Sequence, residues 1–423
     1  MLSVSEALAA IEATVRPLAP VSISLSNAPG LVLAEDVPAD RDSPPFDKAL
    51  MDGYAVRAED VPGGRATLRV IEEVTAGQVP RLAVGPGQAT RIMTGAPIPV
   101  GADAVVQVEH TRAVDGDAAA VEIETGSIQP GRSVLPRAAS ARAGDCIVAR
   151  GARLRPQEIG CLAEVGRSQV LAFPRPRVAV LATGDELVPI NATPGPGQIR
   201  NSNEAMLVAQ LTQAGVMPVP LGIARDNEPA LREKISLGLA CDALILSGGV
   251  SAGMLDLVPS VLSDLGVEQV FHKVRVKPGQ PLWFGACREK RPRTASAGAD
   301  LRSEFANHAD SPCYVFGLPG NPVSSMVCFE LFARTAFRRL MGITPAAPKP
   351  WRATLTCEFR HSGPRPTYHP AHLDWTSEGA TITPIKWVGS ADLIATAGAN
   401  ALAVFSEGEK NYTPGTTIDV IPL

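Results

Sequence analysis

Residues 318–324 (LPGNPVS) have the composition of an anion-binding turn. They turn at Pro319 and Gly320 and then offer Asn321 as the N-cap of a helix. Pro322 suits the first helical position. A strand, a tight turn and a helix start in this order direct free backbone N–H groups and the positive end of the helix dipole at a ligand. An ordinary connection between a strand and a helix is the alternative for this segment alone.

Comparable loops recur between residues 178 and 343, where apolar strand-like runs alternate with helical patterns. This alternation is typical of βαβ units and predicts a doubly wound α/β domain with a mostly parallel sheet. Ligands of such sheets bind beyond the carboxyl ends of the strands. The residues expected at those ends are rich in glycine, hydroxyl and charged side chains: Thr183, Gly184, Glu186, Asp226, Ser247, Gly248, Gly249, Ser251, Lys277, Gln280, Pro319, Gly320 and Asn321. We therefore expect these loops to form one pocket.

The elements that must position this pocket follow from hydrophobic periodicity. In the α/β domain we expect strands at 178–181, 216–221, 243–246, 270–276 and 314–316, and helices at 204–214, 229–240 and 257–265. Near the N-terminus, Ser3 and Glu6 form a capping-box pattern ahead of a helix over 3–16. A second helix is expected at 154–165, followed by a stiff Pro-rich linker at 172–177.

Short β-rich runs broken by Gly, Pro and Asp occupy the rest of the chain. The predicted fold class is therefore α/β plus all-β, in a multidomain and elongated chain. Its expected domains are a helical and linking domain (1–40 and 150–177), a β-rich insertion (41–149), the α/β domain (178–343) and a C-terminal β-barrel (344–423).

Composition excludes several classes of function. The net charge of −4 and the pI near 5.9 argue against nucleic acid as the main partner. No apolar run approaches ~18 residues, so we expect no membrane span, and the N-terminus lacks a signal-peptide pattern. Seven cysteines without C-x-x-C spacing indicate a reduced, cytoplasmic protein with neither disulfides nor a zinc site. The polar segment 287–312 is interpreted as a surface insertion, with a nucleic-acid contact as the alternative.

Each candidate residue also has a purely structural interpretation. Asp52 and Thr94 each precede a glycine and can serve ordinary turns. Glu186 can cap the helix after the first strand, and Asp226 can hold the turn after the second. Lys277 is harder to explain in this way, because a Pro-Gly turn follows it and it has no acidic neighbour in sequence. A lone lysine at a strand end suits a dianion.

Short motifs recur along the whole chain in a definite order: 51–56 (MDGYAV), 91–97 (RIMTGAP), 101–106 (GADAVV), 183–187 (TGDEL), 247–251 (SGGVS), 277–279 (KPG) and 318–324 (LPGNPVS). In these motifs and their order, essentially the whole chain resembles the MoeA-type molybdopterin molybdenumtransferases, the enzymes that complete molybdenum cofactor synthesis. The animal scaffold protein gephyrin has a similar domain.

The resemblance implies an enzyme that takes adenylylated molybdopterin and molybdate, releases AMP with Mg²⁺, and leaves molybdenum on the pterin dithiolene. It implies a MogA-like α/β domain and a homodimer whose cleft lies between this domain of one subunit and β-rich parts of the other. Asp52 and Thr94 would then reach the site from the second subunit. A MogA-type adenylyltransferase and molybdoenzymes or their chaperones are the expected protein partners.

The resemblance also implies roles for individual residues. Mg²⁺ would be bound by Glu186, Asp226 and Asp256, which are hard oxygen ligands of the kind that this ion prefers. Lys277 would act on molybdate. The substrate would be bound by the other residues at the strand ends and by two residues of the last domain. These are Thr183, Gly184, Ser247, Gly248, Gly249, Ser251, Gln280, Pro319, Gly320 and Asn321, with Arg365 and Ser390 from the last domain.

Three positions depart from the family's pattern. Gln280 stands where members commonly have a second lysine, Ser140 where they have an acidic residue, and Pro370 where they have a second arginine. These departures remove one or two positive charges and one carboxylate near the expected molybdate site. Two alternatives to the insertase therefore stay open. One is a divergent paralogue that binds a pterin nucleotide without efficient insertion, and the other is a gephyrin-like interaction scaffold.

Overall fold

The computed structural model describes residues 1–249, 257–288 and 312–423. Ser251, Asp256 and most of the predicted insertion at 287–312 lie outside the described residues. The chain divides into two compact units. The first unit comprises Met1–Glu35, Gly151–Arg155 and Gln169–Leu423, and the second comprises Asp36–Arg150 and Pro156–Ser168. No helix in the described ranges has both the length and the apolar character needed to cross a membrane.

A six-stranded sheet forms the centre of the first unit. Its strands are β1 (Arg177–Thr183), β2 (Met217–Ala224), β3 (Ala243–Ser247), β4 (Val267–His272), β5 (Trp283–Cys287) and β6 (Cys313–Leu318), in the spatial order β2-β1-β3-β6-β5-β4. The strands β2, β1, β3 and β6 are parallel, whereas β5 runs antiparallel to both of its neighbours. Because β4 therefore runs in the same direction as β6, its carboxyl end lies at the same edge as those of the parallel strands.

Helices cover both faces of this sheet. They are α1 (Val4–Thr14), α2 (Ser202–Gln213), α3 (Glu228–Gly238), α4 (Val258–Asp264), α5 (Pro322–Cys328) and α6 (Arg334–Leu340), with the π-helical turn Phe329–Ala333 between the last two. Along β1, Val178 and Val180 belong to one buried cluster while Ala179 and Leu181 belong to another. Alternate side chains of one strand thus fill two cores, which confirms the doubly wound prediction.

The helix starts follow their capping residues. Ser3 and Glu6 form the predicted capping box at α1. Asn201 and Asn227 each accept a backbone hydrogen bond at the start of α2 and α3. Buried residues of α1, including Ile11, join the same core as α6, so the N-terminal helix packs on the α/β domain.

Two sequence predictions were wrong in this unit. Only residues 174–176 of the expected linker at 172–177 lie outside strands, because Ala172 and Phe173 end the strand Gln169–Phe173, where they pair with Val32–Leu33, and β1 begins at Arg177. The expected strand at 270–276 ends at His272, where Lys273 adopts a positive φ of 70°. The strand β5 was not predicted at all.

A closed barrel follows the sheet in the first unit and confirms the prediction for the C-terminal region. Its strands are β7 (Trp351–Leu355), β8 (Thr367–Thr376), β9 (Gly379–Pro384), β10 (Ala401–Phe405) and β11 (Thr417–Pro422), closed in the order β7-β9-β8-β10-β11. The rings of Phe359 and Phe405 stack with centroids 3.8 Å apart. Smaller strands of this unit lie at Val21–Ser24, Val32–Leu33, Gln169–Phe173, Leu187–Val188, Ile199–Arg200, Phe359–His361 and Lys410–Tyr412.

The second unit is β-rich, as its broken β runs predict. Its main sheet has six strands in the spatial order Ala104–Gln107, Gly53–Val56, Gln88–Ile92, Arg65–Val74, Asp117–Glu124 and Thr111–Val114. Two short ribbons pair Val37–Pro38 with Cys146–Val148 and Lys48–Ala49 with Val134–Leu135. The helix Pro156–Glu164 confirms the helix expected at 154–165.

Candidate functional site

Two adjoining cavities open at the carboxyl edge of the sheet in the first unit. The larger, of about 830 Å³, lies over β1, β2, β3 and β6, and we call it the strand-end cavity. The smaller, of about 670 Å³, lies between the loop after β4 and the barrel, and we call it the barrel cavity. Pro281, Pro319 and Asn321 line both cavities, so the two share one wall.

The strand-end cavity brings together most of the predicted residues. Its predicted lining residues are Thr183, Gly184, Glu186, Asp226, Ser247, Gly248, Gly249, Pro319, Gly320 and Asn321. Thr183 and Ser247 are the last residues of β1 and β3, which pair as neighbours, so their hydroxyl groups stand at adjacent strand ends. Both residues are at least 96% buried, with 4% and 2% of their surface exposed. Among the described residues Thr183 Oγ1 has no hydrogen-bond partner, which leaves it available to a ligand.

Asn203 on α2 was not predicted, yet it organises this cavity. Its Nδ2 donates to Ser247 Oγ at 2.7 Å and to the Gly320 carbonyl at 2.8 Å. A carbonyl can only accept, so this contact fixes which end of the amide faces the loops. Asn203 therefore ties the loop after β3 to the loop after β6. Since Ser247 accepts from the amide, its own hydroxyl hydrogen remains for a ligand.

Gly248 is required by a close approach of two backbones. It has a φ of +97°, and a Cβ at this position would lie 2.7 Å from the Thr183 carbonyl oxygen. Its N–H, however, donates to the Leu318 carbonyl at 3.2 Å. One of the backbone donors predicted for this loop is thus already used within the protein.

Glu186 and Asp226 place two carboxylates in the strand-end cavity. Burial raises the pKa of Asp226, and the nearby Asp185 and Glu186 raise it further. The helix-cap interpretation of Glu186 is wrong, because the short strand Leu187–Val188 follows it and α2 is capped by Asn201. Among the described residues, no three acidic, histidine or cysteine side chains gather as a metal site.

The barrel cavity is built around the loop that carries Lys277. The backbone of Lys277 accepts from Tyr368 N–H at 2.8 Å and donates to the Pro366 carbonyl at 3.0 Å, which joins the loop to the start of β8. Beneath the loop, Gly279 leaves no room for a side chain, since a Cβ there would lie 2.4 Å from Cys328 Sγ. Cys328 donates its thiol to the Gly279 carbonyl at 3.4 Å. The loop is therefore held from both sides.

The charges of the barrel cavity are all positive. Lys277, Arg360 and Arg365 line it, and none of its described lining residues is acidic. Arg365 Nη1 donates to Gln280 Oε1 at 2.7 Å and to the Val276 carbonyl at 3.2 Å. Both Gln280 and Arg365, predicted from separate segments, thus meet in one wall.

Asn321 occupies the predicted N-cap position of α5, but its side chain does not cap the helix. Instead, Nδ2 of Asn321 donates to Ser390 Oγ at 2.9 Å. The Val323 N–H, an orphan donor of the first helical turn, donates to the Ser390 carbonyl at 3.0 Å. Ser390 therefore lies between the helix start and the barrel cavity, which it lines as predicted.

The barrel cavity also contains residues that were not recognised from the sequence. They are His361, Thr367, His369 and Trp387. Burial lowers the pKa of His369, and the charge of Lys277 lowers it further, so this histidine is neutral near pH 7. Its Nε2 donates to the Ile385 carbonyl at 3.0 Å. Sequence spacing carries no signal for these residues, because the closed barrel alone brings them together. Pro370, beside His369, is buried on β8.

Asp52 and Thr94 form a contact within the second unit. The Thr94 hydroxyl donates to Asp52 Oδ1 at 2.6 Å, and the Thr94 N–H donates to the same oxygen at 2.7 Å. These two bonds lower the pKa of Asp52, with the hydroxyl as the larger cause. Asp52 is therefore an anion whose position is set by Thr94. Ser140, in the same unit, donates its N–H to the Ser43 carbonyl at 2.9 Å.

We expect Thr94→Val to raise the pKa of Asp52 toward its ordinary value, because the stronger of its two hydrogen bonds is lost. A carboxyl-carbon NMR titration of the protein will measure this shift. Thr94→Ser, which keeps the hydroxyl, is the matched control and should leave the pKa low. An unchanged pKa in Thr94→Val would mean that the hydroxyl does not hold the carboxylate.

Comparisons with known proteins identify the family of this chain. Family models match residues 2–166 (MoeA N-terminal region, domain I and II), 179–339 (probable molybdopterin binding domain) and 352–423 (MoeA C-terminal region, domain IV). A molybdopterin molybdenumtransferase of Staphylococcus epidermidis is 33% identical over 430 residues, covering 99% of this chain and 95% of the relative. One from a Nostoc species is 35% identical over 419 residues, covering 95% and 88%.

Solved structures give the same result. Two crystal structures of the molybdopterin biosynthesis MoeA protein from Pyrococcus horikoshii match with a TM-score of 0.79 each, at 29% and 25% identity, and both cover 100% of this chain. They are themselves covered over 99% and 100% of their length. The fold and these matches thus identify a transferase of molybdenum cofactor biosynthesis. The chain belongs to the MoeA family of molybdopterin molybdenumtransferases.

Proposed function

We propose that this chain inserts molybdenum from molybdate into adenylylated molybdopterin and releases AMP, with Mg²⁺ as the required cation. The observation that carries the proposal is the pair of adjoining cavities with different charge. The barrel cavity is lined by basic residues, whereas the strand-end cavity carries two carboxylates beside hydroxyl and glycine loops. A reaction between a small oxyanion and a larger phosphate-bearing substrate needs two such compartments in contact.

The barrel cavity suits molybdate. A tetrahedral dianion is best held by charge-assisted hydrogen bonds from lysine and arginine. Lys277 and Arg365 supply them, and the Ser390 hydroxyl lies in the same wall. The neutral state of His369 avoids a further buried charge in this wall.

The strand-end cavity suits the pterin nucleotide. Thr183 Oγ1 has no hydrogen-bond partner among the described residues, and Ser247 keeps its hydroxyl hydrogen, so both can donate to phosphate oxygens. The glycine loops after β3 and β6 let a ligand approach the backbone closely. The same cavity continues over Leu187, Ile199 and Ile394, whose side chains offer apolar contact to a ring system.

The residues of the strand-end cavity also fit a magnesium ion. Glu186 and Asp226 both line it, and the pKa of Asp226 is raised first by burial and then by the charges of Asp185 and Glu186. Mg²⁺ typically uses one or two carboxylates together with phosphate oxygens and waters. Glu186 and Asp226 would hold it, and Asp256, outside the described residues, stays a candidate third ligand. Bound there, the ion would neutralise charge that develops on the phosphates.

The protein's own contribution to the reaction is position and electrostatics. Lys277 and Arg365 would hold molybdate on one side of the shared wall, and the hydroxyls of Thr183 and Ser247 would fix the substrate phosphates on the other. Asn321 and Pro319 belong to both cavities, so molybdate and the phosphate-linked end of the pterin meet across them. A water molecule adds its oxygen to the AMP phosphorus, the phosphoanhydride P–O bond breaks, and AMP leaves while the pterin keeps its own phosphate. Molybdenum forms bonds to the two dithiolene sulfurs, and one molybdate oxygen leaves as water with the two thiol protons, so that molybdenum keeps its oxidation state. Preorganised donors of this kind stabilise developing charge without reorganisation.

Asp52 and Thr94 enter the proposal through a second subunit. We therefore expect a C2 homodimer with an interface well above ~1,000 Å². Multi-angle light scattering at micromolar concentration measures this directly. A monomer under these conditions would contradict the dimer and, with it, the role of Asp52 at the site.

We place the reaction in the cytoplasm, with a MogA-type adenylyltransferase as the source of substrate and molybdoenzymes or their chaperones as recipients. All seven cysteines lie in described residues and none of them forms a disulfide, which suits a reducing compartment. A genetic experiment tests the function as a whole. This gene alone should restore molybdoenzyme activity to a cell that lacks its insertase, and AMP release from adenylylated molybdopterin should then depend on added molybdate and Mg²⁺. Failure of both would contradict the proposal.

A further inference from the structure

We propose that Gln280 is a positioning residue that fixes the guanidinium of Arg365 for binding of an oxyanion. This inference rests on the proposed molybdate site in the barrel cavity. In sequence, Gln280 marks a missing positive charge. In the structure, its amide oxygen is a hydrogen-bond acceptor for the one arginine that the last domain's motif contributes.

The hydrogen bonds of Arg365 show which of its nitrogens already donate to acceptors in the protein. Nη1 carries two hydrogens and has two acceptors, Gln280 Oε1 at 2.7 Å and the Val276 carbonyl at 3.2 Å. Nε and Nη2 have no acceptor among the described residues, so three N–H groups remain. The Nε–Nη2 edge is one of the planar edges with which arginine binds two oxygens of an oxyanion at once.

The Gln280 acceptor is itself held by a rigid loop. The Gln280 carbonyl accepts from the Val274 N–H at 3.0 Å. The preceding Gly279 is fixed against Cys328. Two anchored acceptors on one loop thus fix one corner of the guanidinium, and a planar group with one corner fixed keeps little rotational freedom. Less conformational entropy is then lost when an oxyanion binds.

The amide is the side chain that performs this task without altering the charge of the cavity. A lysine at position 280 would lose the acceptor and place an ammonium beside the Arg365 guanidinium, where the two like charges repel. A glutamate would keep the acceptor but cancel one positive charge where a dianion must bind. Glutamine accepts the hydrogen bond and leaves the charges of Lys277 and Arg365 intact.

Calorimetric titration of molybdate into the full-length protein tests the inference through a double-mutant cycle. Gln280→Met keeps the length of the side chain and removes the acceptor. We expect it to weaken molybdate binding by about 3- to 10-fold, the size of a net hydrogen bond. In an Arg365→Met background the same change should alter affinity by less than about 2-fold, because the group that Gln280 positions is gone.

Gln198→Met is the matched control. Gln198 Oε1 accepts from the Gly195 N–H, and the residue lines neither cavity, so molybdate affinity should be unchanged. Gln280→Leu repeats the test if thermal melting shows that Gln280→Met is poorly folded. Equal losses in the two backgrounds would overturn the inference, since they would mean that Gln280 acts independently of Arg365.

The remaining outcomes separate this inference from the proposed function. Unchanged affinity in Gln280→Met, with clear binding to the unmodified protein, would overturn the positioning role and leave the molybdate site standing. Absence of molybdate binding to the unmodified protein in the same titration would overturn both. Coupling between Gln280 and Arg365, with the control unchanged, supports both.

Discussion

Lys277→Ala is expected to weaken molybdate binding by about 10- to 150-fold, the equivalent of a hydrogen bond to a charged group worth 1.5–3 kcal/mol. Lys277 lines the barrel cavity, and only its backbone is used to join the loop to β8. Removal of the side chain therefore leaves those backbone bonds in place and takes away one of the cavity's cations. Calorimetry with molybdate measures the loss, which should shrink as added salt screens this solvent-exposed charge.

The controls for this change separate charge from packing. Lys277→Arg keeps the positive charge and should retain most of the affinity. Lys349→Ala removes a lysine that does not line the cavity and should bind molybdate like the unmodified protein. If Lys277→Ala also bound normally, the loop would not hold the oxyanion, and the divergent paralogue would become the better hypothesis for this chain.

The location of the site was predictable because strand direction decides which loops meet. Parallel strands end at one edge, so Thr183 after β1 and Ser247 after β3 had to be neighbours once the βαβ pattern was recognised. The loop with Lys277 joined them for a different reason. The strand β5, which the sequence did not predict, runs antiparallel to both β4 and β6. The strand β4 that precedes the Lys277 loop therefore runs in the same direction as β6. The predicted edge was correct although one of the strands behind it was missed, but the single pocket was not, because Lys277 lines the barrel cavity while Thr183 and Ser247 line the strand-end cavity.

The partners of the predicted residues were much less predictable than their positions. Asn321 has the residue type and the place of an N-cap, yet its amide is bound by Ser390, which lies 69 residues further along the chain. A side chain such as asparagine can form either a local hydrogen bond to the backbone or a tertiary one, and here the tertiary hydrogen bond forms in place of the helix cap. Asn203 shows the reverse case. It stands within the first turn of α2 without any local signal, and only the folded loops show that it joins them.

Gln280 shows why a departure from a family pattern is hard to interpret from sequence. In the sequence, Gln280 is seen only as the loss of the positive charge that a lysine would bring to this position. Its contact with Arg365 spans 85 residues and depends on how the barrel meets the loop after β4. No spacing rule connects two such segments, so the sequence can state the change of residue type but not the hydrogen bond that accompanies it.

Asp226→Asn is expected to cut AMP release by about 10²-fold at a fixed Mg²⁺ concentration, the scale seen when electrostatic stabilisation of a transition state is removed. Its carboxylate lines the strand-end cavity with Glu186. Because burial and two acidic neighbours raise its pKa, Asp226 loses its charge at a higher pH than an ordinary aspartate. Cation affinity should therefore decline as the pH falls toward that raised value, and it should decline less in Asp226→Asn.

The melting temperature of Asp226→Asn distinguishes a role in the reaction from a structural role. A group with a raised pKa in the folded state destabilises the fold when it ionises, so stability rises as the pH falls through that value. Asp226→Asn should then melt no lower than the unmodified protein at pH 8, while AMP release is lost. Glu228→Gln, which changes an exposed carboxylate paired with Arg232 outside the cavity, is the control and should release AMP normally. A melting temperature that falls together with activity would instead make Asp226 a structural residue. Loss of AMP release without loss of stability would support the proposed role of Asp226 in binding the cation.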